Sequence, residues 1–357
     1  MNREELVCVW FNYEGYGFLK LEKILKNFNK IDGVFDKNLL KNALFDSDTI
    51  QIKEKLLKLD VEKFERKVED DLYKNDLVVV TYVSKEYPEK LKYIDDPPLV
   101  LYAKGDVSLL SKKSISIVGT RSPSDYGKLV CERFTKELSS SGLVTISGLA
   151  YGIDAIVART TLDVGGKTIA VLAGGLDSIY PSSHTNLAKE VAGHGLLLSE
   201  ARVGLKPANY SFINRNRIVS ALGLGTLIIE AGKQSGTMAT AKFAIDQGRE
   251  LFIVPGNIYS KMSEGTNNLI DEMPDTFTIS PDRILSRLKI KKKESKVVQL
   301  NLTDENIVLD ALAGGEKTFD ELFDIAKLSA ADLSTELVRL EMMGLIKKGA
   351  GDVYFKI

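Results

Sequence analysis

From Ser114 onward, short apolar runs recur along the chain, each closed by Gly, Ser or Glu: SISIVG, LVTISG, TIAVLAGG, LLLSEA, TLIIEAG and ELFIVPG. Amphipathic segments of helix length separate most of them. Continuous apolar strands alternating with helices imply a parallel sheet covered on both faces. The block ends near Leu288, where KIKKKESK reads as a solvated linker. Ahead of it, Leu77–Val83 and Leu99–Ala103 are β-type runs separated by the turn-rich Ile94–Pro98. The first 75 or so residues are rich in Lys, Asp and Leu with helical spacing, as at Leu19, Ile24, Leu25 and Phe28, and Glu14–Gly17 can join two short helices. From about Thr303 the pattern reads three helices and a hairpin, the order of a winged helix. Ser329 and Asp332 form its capping pair, Leu333, Leu337, Leu340 and Met343 a core face, and Gly349 to Gly351 the turn.

Composition narrows the chemistry. A chain of 357 residues exceeds one ordinary core. Only Cys8 and Cys131 are present, far apart, which suits a reducing compartment and gives no disulfide framework or zinc site. The only histidines are His184 and His194, so an imidazole-based metal site or triad is hard to build. The N-terminus does not read as a signal peptide, and no apolar stretch approaches the ~18 residues of a membrane span. A cytoplasmic protein is expected. The formal net charge is −1, so any nucleic-acid contact must come from local charge.

In an open parallel sheet, ligands bind outside the carboxyl ends of the strands. VGTRSPSDYG places Gly119, Thr120 and Arg121 there, with Ser124 or Asp125 able to cap the next helix, whose free N–H groups would suit a phosphate. A plain strand-to-helix turn with a solvated Arg is the equally simple alternative. SGLAYGID supplies Ser147 and Gly148, with Asp154 as a brace for the loop. AGGLDSIYPSSH supplies Tyr180, which either stacks on a base or closes an apolar edge. FINRNRIVSALG carries Phe212, Arg215, Asn216 and Arg217. The two arginines diverge by about 200° on a helix, so they serve one groove only near a helix start; the alternative pairs Arg217 with a neighbouring carboxylate. EAGKQSGTMATA adds Lys233, Ser235, Gly236 and Thr237 as a phosphate-accepting helix start.

Two motifs are set aside. Gly165–Thr168 echoes a P-loop, but Thr161 stands where the first glycine belongs and the segment leads into a strand. Lys167 remains a point charge for DNA. Gly223-Leu-Gly225 lacks the third glycine of a dinucleotide fingerprint. No nucleophile–base pair or metal-spaced carboxylate cluster stands out, so no catalysis, metal or cofactor is expected.

Together, IVGTR, SGLAYGID, GGKTIAVLAGGLD, RNRIVSAL, EAGKQSGTMATA, GRELFIVPG and GTNNLI resemble the DprA/Smf family of DNA-processing proteins. The resemblance implies an α/β fold: a Rossmann-like parallel sheet core (76–288, with a β extension at 76–110) between an N-terminal helical domain (1–75) and, after a charged linker (289–300), a winged-helix domain (301–357). It also implies single-stranded DNA binding, loading of the RecA recombinase, protection of incoming strands in natural transformation, and a homodimer formed through the Rossmann-like domain. On matching positions, Arg121, Lys167, Phe212, Arg215 and Arg217 become DNA contacts, with the loops around Gly119, Gly148 and Gly236 as the surface. The chain departs from the family pattern at Ala158, Ile213, Asn214 and Asp271–Met273.

Two other functions compete. GTLIIEAG resembles the Gly-Thr-to-Glu segment of Rossmann-like nucleoside-monophosphate phosphoribohydrolases, without their Pro-Gly-Gly, and would make Glu230 catalytic. A transcription regulator would use the winged helix, but Glu336, Arg339 and Glu341 balance poorly for a major groove. A packing or protein-contact role suits that helix better.

Overall fold

The computed structural model describes residues 1–291, 306–342, 344–349 and 351–357. The chain divides into two compact units, Met1–Lys293 and Glu294–Ile357.

Five helices open the first unit: α1 (Arg3–Tyr13), α2 (Phe18–Leu25), α3 (Lys37–Asn42), α4 (Ile50–Lys58) and α5 (Val61–Asn75). The α1 start is fixed by a reciprocal cap, in which Asn2 Oδ1 accepts from Glu5 N–H and Glu5 accepts from Asn2 N–H. Every residue from Leu6 to Phe11 is buried, so α1 is a core helix rather than an amphipathic surface one. The turn at Glu14–Gly17 does join α1 to α2, but the helical spacing is only partly matched: Leu21 and Ile24 are buried, whereas Leu19 is exposed.

The β-type runs then follow as β1 (Val78–Thr81), a short α6 (Glu89–Lys92) and β2 (Val100–Gly105). The alternating block gives β3 (Ser114–Val118), α7 (Asp125–Ser140), β4 (Val144–Ser147), α8 (Ile153–Asp163), β5 (Thr168–Leu172), α9 (Thr185–His194) and β6 (Leu196–Ser199). It continues with α10 (Asn209–Leu222), β7 (Gly225–Ile228), α11 (Gly236–Asp246), β8 (Glu250–Ile253), α12 (Glu264–Glu272) and α13 (Pro281–Arg287). All eight strands share one sheet, ordered β1-β2-β6-β5-β4-β3-β7-β8. Strands β3 to β8 are mutually parallel, whereas β2 runs antiparallel to both β1 and β6. The chain leaves β3 toward β4, β5 and β6, then crosses back through α10 to β7 on the other side of β3. The crevice therefore opens at the carboxyl ends of β3 and β7.

The N-terminal helices do not stand apart as a module. Trp10 and Phe11 share a buried cluster with Leu99, Tyr102, Leu172 and Leu197 of the sheet region, and the Tyr102 hydroxyl donates to Asn12 Oδ1 at 3.1 Å. A second cluster lies under α10 and α11, and a third under α7 and α8.

The second unit comprises α14 (Ile307–Ala313), β9 (Lys317–Thr318), α15 (Phe319–Ala326), α16 (Ala330–Met342), β10 (Ile346–Lys348) and β11 (Val353–Lys356), with the strands ordered β10-β11-β9. Ser329 Oγ accepts from Asp332 N–H at 3.2 Å, capping α16, and Leu333, Leu337 and Leu340 are buried. Met343, Ala350 in the expected turn, Thr303 and most of the expected linker lie outside the described residues.

Because α1 is part of the sheet's core, Trp10→Ala should destabilise the first unit by about 3–5 kcal/mol. In urea, far-UV circular dichroism and a probe placed on the sheet should move together. A transition seen by helix signals alone would show that the helices fold independently.

Candidate nucleic-acid interface

The carboxyl edge of the sheet is built from the loops after β3 to β8, and hydrogen bonds between loops hold them as one rim. Thr120 N–H donates to Glu230 C=O at 2.8 Å, and Ile153 N–H donates to Thr120 C=O at 3.2 Å. Gly152, at φ 74°, brings the α8 start so close to Thr120 and Arg121 that a Cβ would strike their backbone. A Cβ on Gly119 would likewise meet Ile153.

Two helix starts on this rim already hold carboxylates. Glu230 is 1% exposed at the end of β7; its Oε1 accepts from Ser124 Oγ at 2.6 Å and its Oε2 from Ser124 N–H at 2.9 Å. Ser124 Oγ in turn accepts from Gly127 N–H. The anion position at the α7 N-terminus is thus filled from within, which corrects the expectation that this helix start takes a phosphate. Before α8, Asp154 Oδ2 accepts from Gly148 N–H at 3.0 Å and Ala150 N–H at 3.4 Å, the brace expected of it. Burial pushes the Asp154 carboxyl up, against the pull of Arg215.

The helix starts of α10 and α11 differ. Neither has an acidic residue in its first turn. Ser235 caps α11 through Thr237 N–H, and Asn216 Nδ2, from the middle of α10, reaches Gly236 C=O at 3.5 Å at the α11 start. Lys233 and Gly236 are exposed, whereas Thr237 is buried.

Outside this frame stands a cation–aromatic group. The Arg121 guanidinium lies 5.5 Å from the Phe212 ring centre, and Phe212 lies 5.4 Å from Tyr180, inclined at 55°. Arg121 and Tyr180 are exposed and Phe212 is half-buried. Tyr210, two residues before Phe212 on α10, is exposed, and Tyr151 stands edge-on to His184 at 5.0 Å with its hydroxyl accepting from Ser183 Oγ at 3.1 Å.

Three expected contact residues sit elsewhere. Arg215 is buried: Nη1 donates to Gly148 C=O at 2.7 Å and to Val171 C=O, beside Asp154. A charged group taken out of water needs such partners, and here it finds them in the ends of β4 and β5. Arg217 is also buried, donating through Nη2 to Glu200 at 2.8 and 2.9 Å and to Asp96 at 3.3 Å. The carboxylate-paired alternative describes it. Lys167 precedes β5, so it lies at the amino edge of the sheet, where its Nζ donates to His194 C=O. The five-residue strand β5 separates it from the rim by roughly 16 Å. Ser147 and Gly148 are buried beneath the rim, within the frame rather than on its face.

Sequence reasoning missed two cations between β6 and α10. Lys206 is exposed just before the α10 start, and the Arg202 guanidinium lies 5.1 Å from the Tyr13 ring centre. Their position between a strand end and a helix start is the signal that could have found them. Among the described residues no group of three or more His, Cys, Asp or Glu is arranged to hold a metal, and no helix is long and apolar enough to cross a membrane.

A mostly parallel doubly covered sheet with this carboxyl rim, followed by a winged helix, defines a two-unit Rossmann-like protein with a winged-helix domain. The family profile "DNA recombination-mediator protein A" matches residues 78–289, and that of the DprA winged helix domain matches 302–352. The chain is 43% identical to the DNA processing protein DprA of Bacillus subtilis over 62% of its own length and 76% of that protein. It is 31% identical to the protein Smf of Synechocystis, over 75% of its length and 77% of that protein. Its structure resembles that of DNA processing protein A from Streptococcus pneumoniae, with a TM-score of 0.64, 29% identity and coverage of 77% and 97%. It also resembles DNA processing protein A from Helicobacter pylori, described for its single-stranded DNA binding mode, with a TM-score of 0.55, 31% identity and coverage of 60% and 95%. The chain belongs to the DprA/Smf family and is a DNA recombination mediator.

The buried pair predicts an asymmetry. Arg215→Ala leaves the Asp154 carboxyl without its counter-charge and should cost about 3–5 kcal/mol. Arg215→Lys should recover little, because an ammonium lacks the planar fork. Arg121→Ala should stay within about 0.5 kcal/mol. Urea unfolding of the three variants measures all of this.

Proposed function

We propose that the protein is a non-enzymatic mediator that binds single-stranded DNA along the carboxyl rim. The observation that carries this reading is the contiguous Arg121, Phe212 and Tyr180 group beside two helix starts free of acid. Aromatic faces hold bases in stacks regardless of sequence, while a guanidinium and open N–H groups take the backbone phosphates. Gly119, Thr120, Lys233, Ser235 and Gly236 shape the path, with Asn216 of α10 against the α11 start. Ser147, Gly148, Arg215, Arg217 and Thr237 hold it from behind. The single-stranded DNA binding described for the Helicobacter pylori relative supports the ligand class.

The finer role follows the family resemblance: loading RecA onto the bound strand, protecting incoming strands during natural transformation, and working in the cytoplasm as a homodimer through the Rossmann-like domain. The 1–75, 76–288, 289–300 and 301–357 divisions remain our proposal for functional segments. The phosphoribohydrolase alternative needs Glu230 free to act on a nucleotide, and both of its oxygens are engaged by Ser124.

Binding of oligo-dT, followed by fluorescence anisotropy across a salt series, should weaken about tenfold for Arg121→Ala and for Phe212→Ala. Each bidentate or stacking contact is worth about 1–3 kcal/mol. Lys167→Ala should match the parent chain; equal binding by all four proteins would remove the rim from consideration. Base release from nucleoside monophosphates should be undetectable, and turnover abolished by Glu230→Gln would overturn the mediator reading. RecA-dependent D-loop formation on strands coated with single-strand-binding protein should rise on addition of the protein. No rise would discard the loading role.

A further inference from the structure

A groove of about 680 Å³ opens on the N-terminal helices between α1, the end of α4 and α5. Its floor is apolar, made by the buried Trp10 with the half-buried Leu59 and Phe64. Two further rings stand beside them: Tyr13 lies 5.3 Å from Phe64 and Tyr16 lies 6.3 Å from Trp10. The walls are basic, with Lys55 and Lys58 from the end of α4 and Lys63 and Lys67 from α5. A second hollow of about 520 Å³ shares Asp60, Lys63 and Lys67 and continues along α5 to Lys74. The two form one trough.

The acids in this trough are already engaged. Glu14 pairs with Lys55 at 2.7 Å, Asp60 caps α5 through Lys63 N–H, Asp70 lies 3.9 Å from Lys74, and Asp71 accepts from the Tyr13 hydroxyl at 2.9 Å. Lys58, Lys63 and Lys67 form no ion pair among the described residues. Lys63 and Lys67 stand four apart on one helix face, a like-charge placement that slightly disfavours the helix. Cation–aromatic contacts recur along the trough, with Lys55 5.2 Å from Tyr16 and Lys67 5.4 Å from Tyr13. Tyr13 also meets Arg202, which follows β6 on the rim. Tyr13 thus stands between Phe64 of the trough and the loop after β6.

The geometry points to a second segment of single-stranded DNA: a strand on the rim continues past Arg202 and Tyr13 into the α4–α5 trough, its bases against the half-buried rings of Tyr13, Tyr16 and Phe64 and its phosphates on Lys58, Lys63 and Lys67. Interleaved rings and unpaired cations are what sequence-independent single-strand binding uses, and an acidic polypeptide has no call on the rings. This inference rests on the rim reading, and it extends the site rather than replacing it.

The test uses the full chain with Lys58→Gln, Lys63→Gln and Lys67→Gln combined, against dT strands of about 8 and about 40 nucleotides, the shorter within the span of one ordinary groove. Loss of three phosphate contacts should lower the slope of log K against log salt by about 2 in magnitude for the long strand. The short strand should bind as in the parent chain. The matching three lysine-to-arginine replacements should retain the parent slope, which separates lost charge from lost fold. If the parent binds neither strand, the rim reading falls and takes this extension with it. If the parent binds and the triple variant matches it on the long strand, the trough assignment alone is overturned. Polyglutamate binding that disappears in the triple variant while long-strand binding persists would also overturn it, in favour of an acidic polypeptide.

Discussion

The rim depends on a buried charge held in place. Arg215 reaches from α10 into the ends of β4 and β5, and Asp154 answers it from the start of α8. Neither charge would be tolerable alone away from water, so the four elements are obliged to meet in one arrangement. One turn earlier on the same helix, Phe212 emerges beside Arg121. This half-buried ring is therefore positioned by a residue that does not itself reach the surface. Glu230 does a similar job on the other side of β3, fixing Ser124 and through it the loop that carries Arg121.

The same carboxylates sort the rim electrically. Asp154 and Glu230 occupy the loop before α8 and the start of α7, while the starts of α10 and α11 carry no acid. An anionic polymer is thereby directed to one half of the crevice. Near-neutrality of the whole chain is compatible with this, because the field that matters to a phosphate is local.

Much of the fold is legible in the sequence because a strand buried on both faces must be an unbroken apolar run, and each such run here ends at a small residue where the chain turns. The strands from β3 to β8 follow from that rule, and the winged-helix order from helical spacing closed by a hairpin. The place of residues 1–75 does not, since periodicity reports that a helix has an apolar face and not what that face covers. Within the site, Arg121 is legible as a residue after a strand and before a helix, and Phe212 as one in the first turn of a helix. Arg215 and Arg217 mislead because residue type alone reads as surface, and only the fold supplies Gly148, Val171 and Glu200 as partners. Lys167 misleads for a simpler reason: it precedes its strand, and chain direction alone assigns it to the far edge.

The helices that open the chain bear on how the protein can be divided. Residues 78–289 match the family profile and look like a natural fragment. Yet Tyr102, Leu172 and Leu197 share their core with Trp10 and Phe11, and cutting the chain before β1 would bare that apolar patch to water. Such a fragment would be drawn to other copies of itself through a surface that the intact chain never presents. Self-association measured on it would report the cut and not the native assembly.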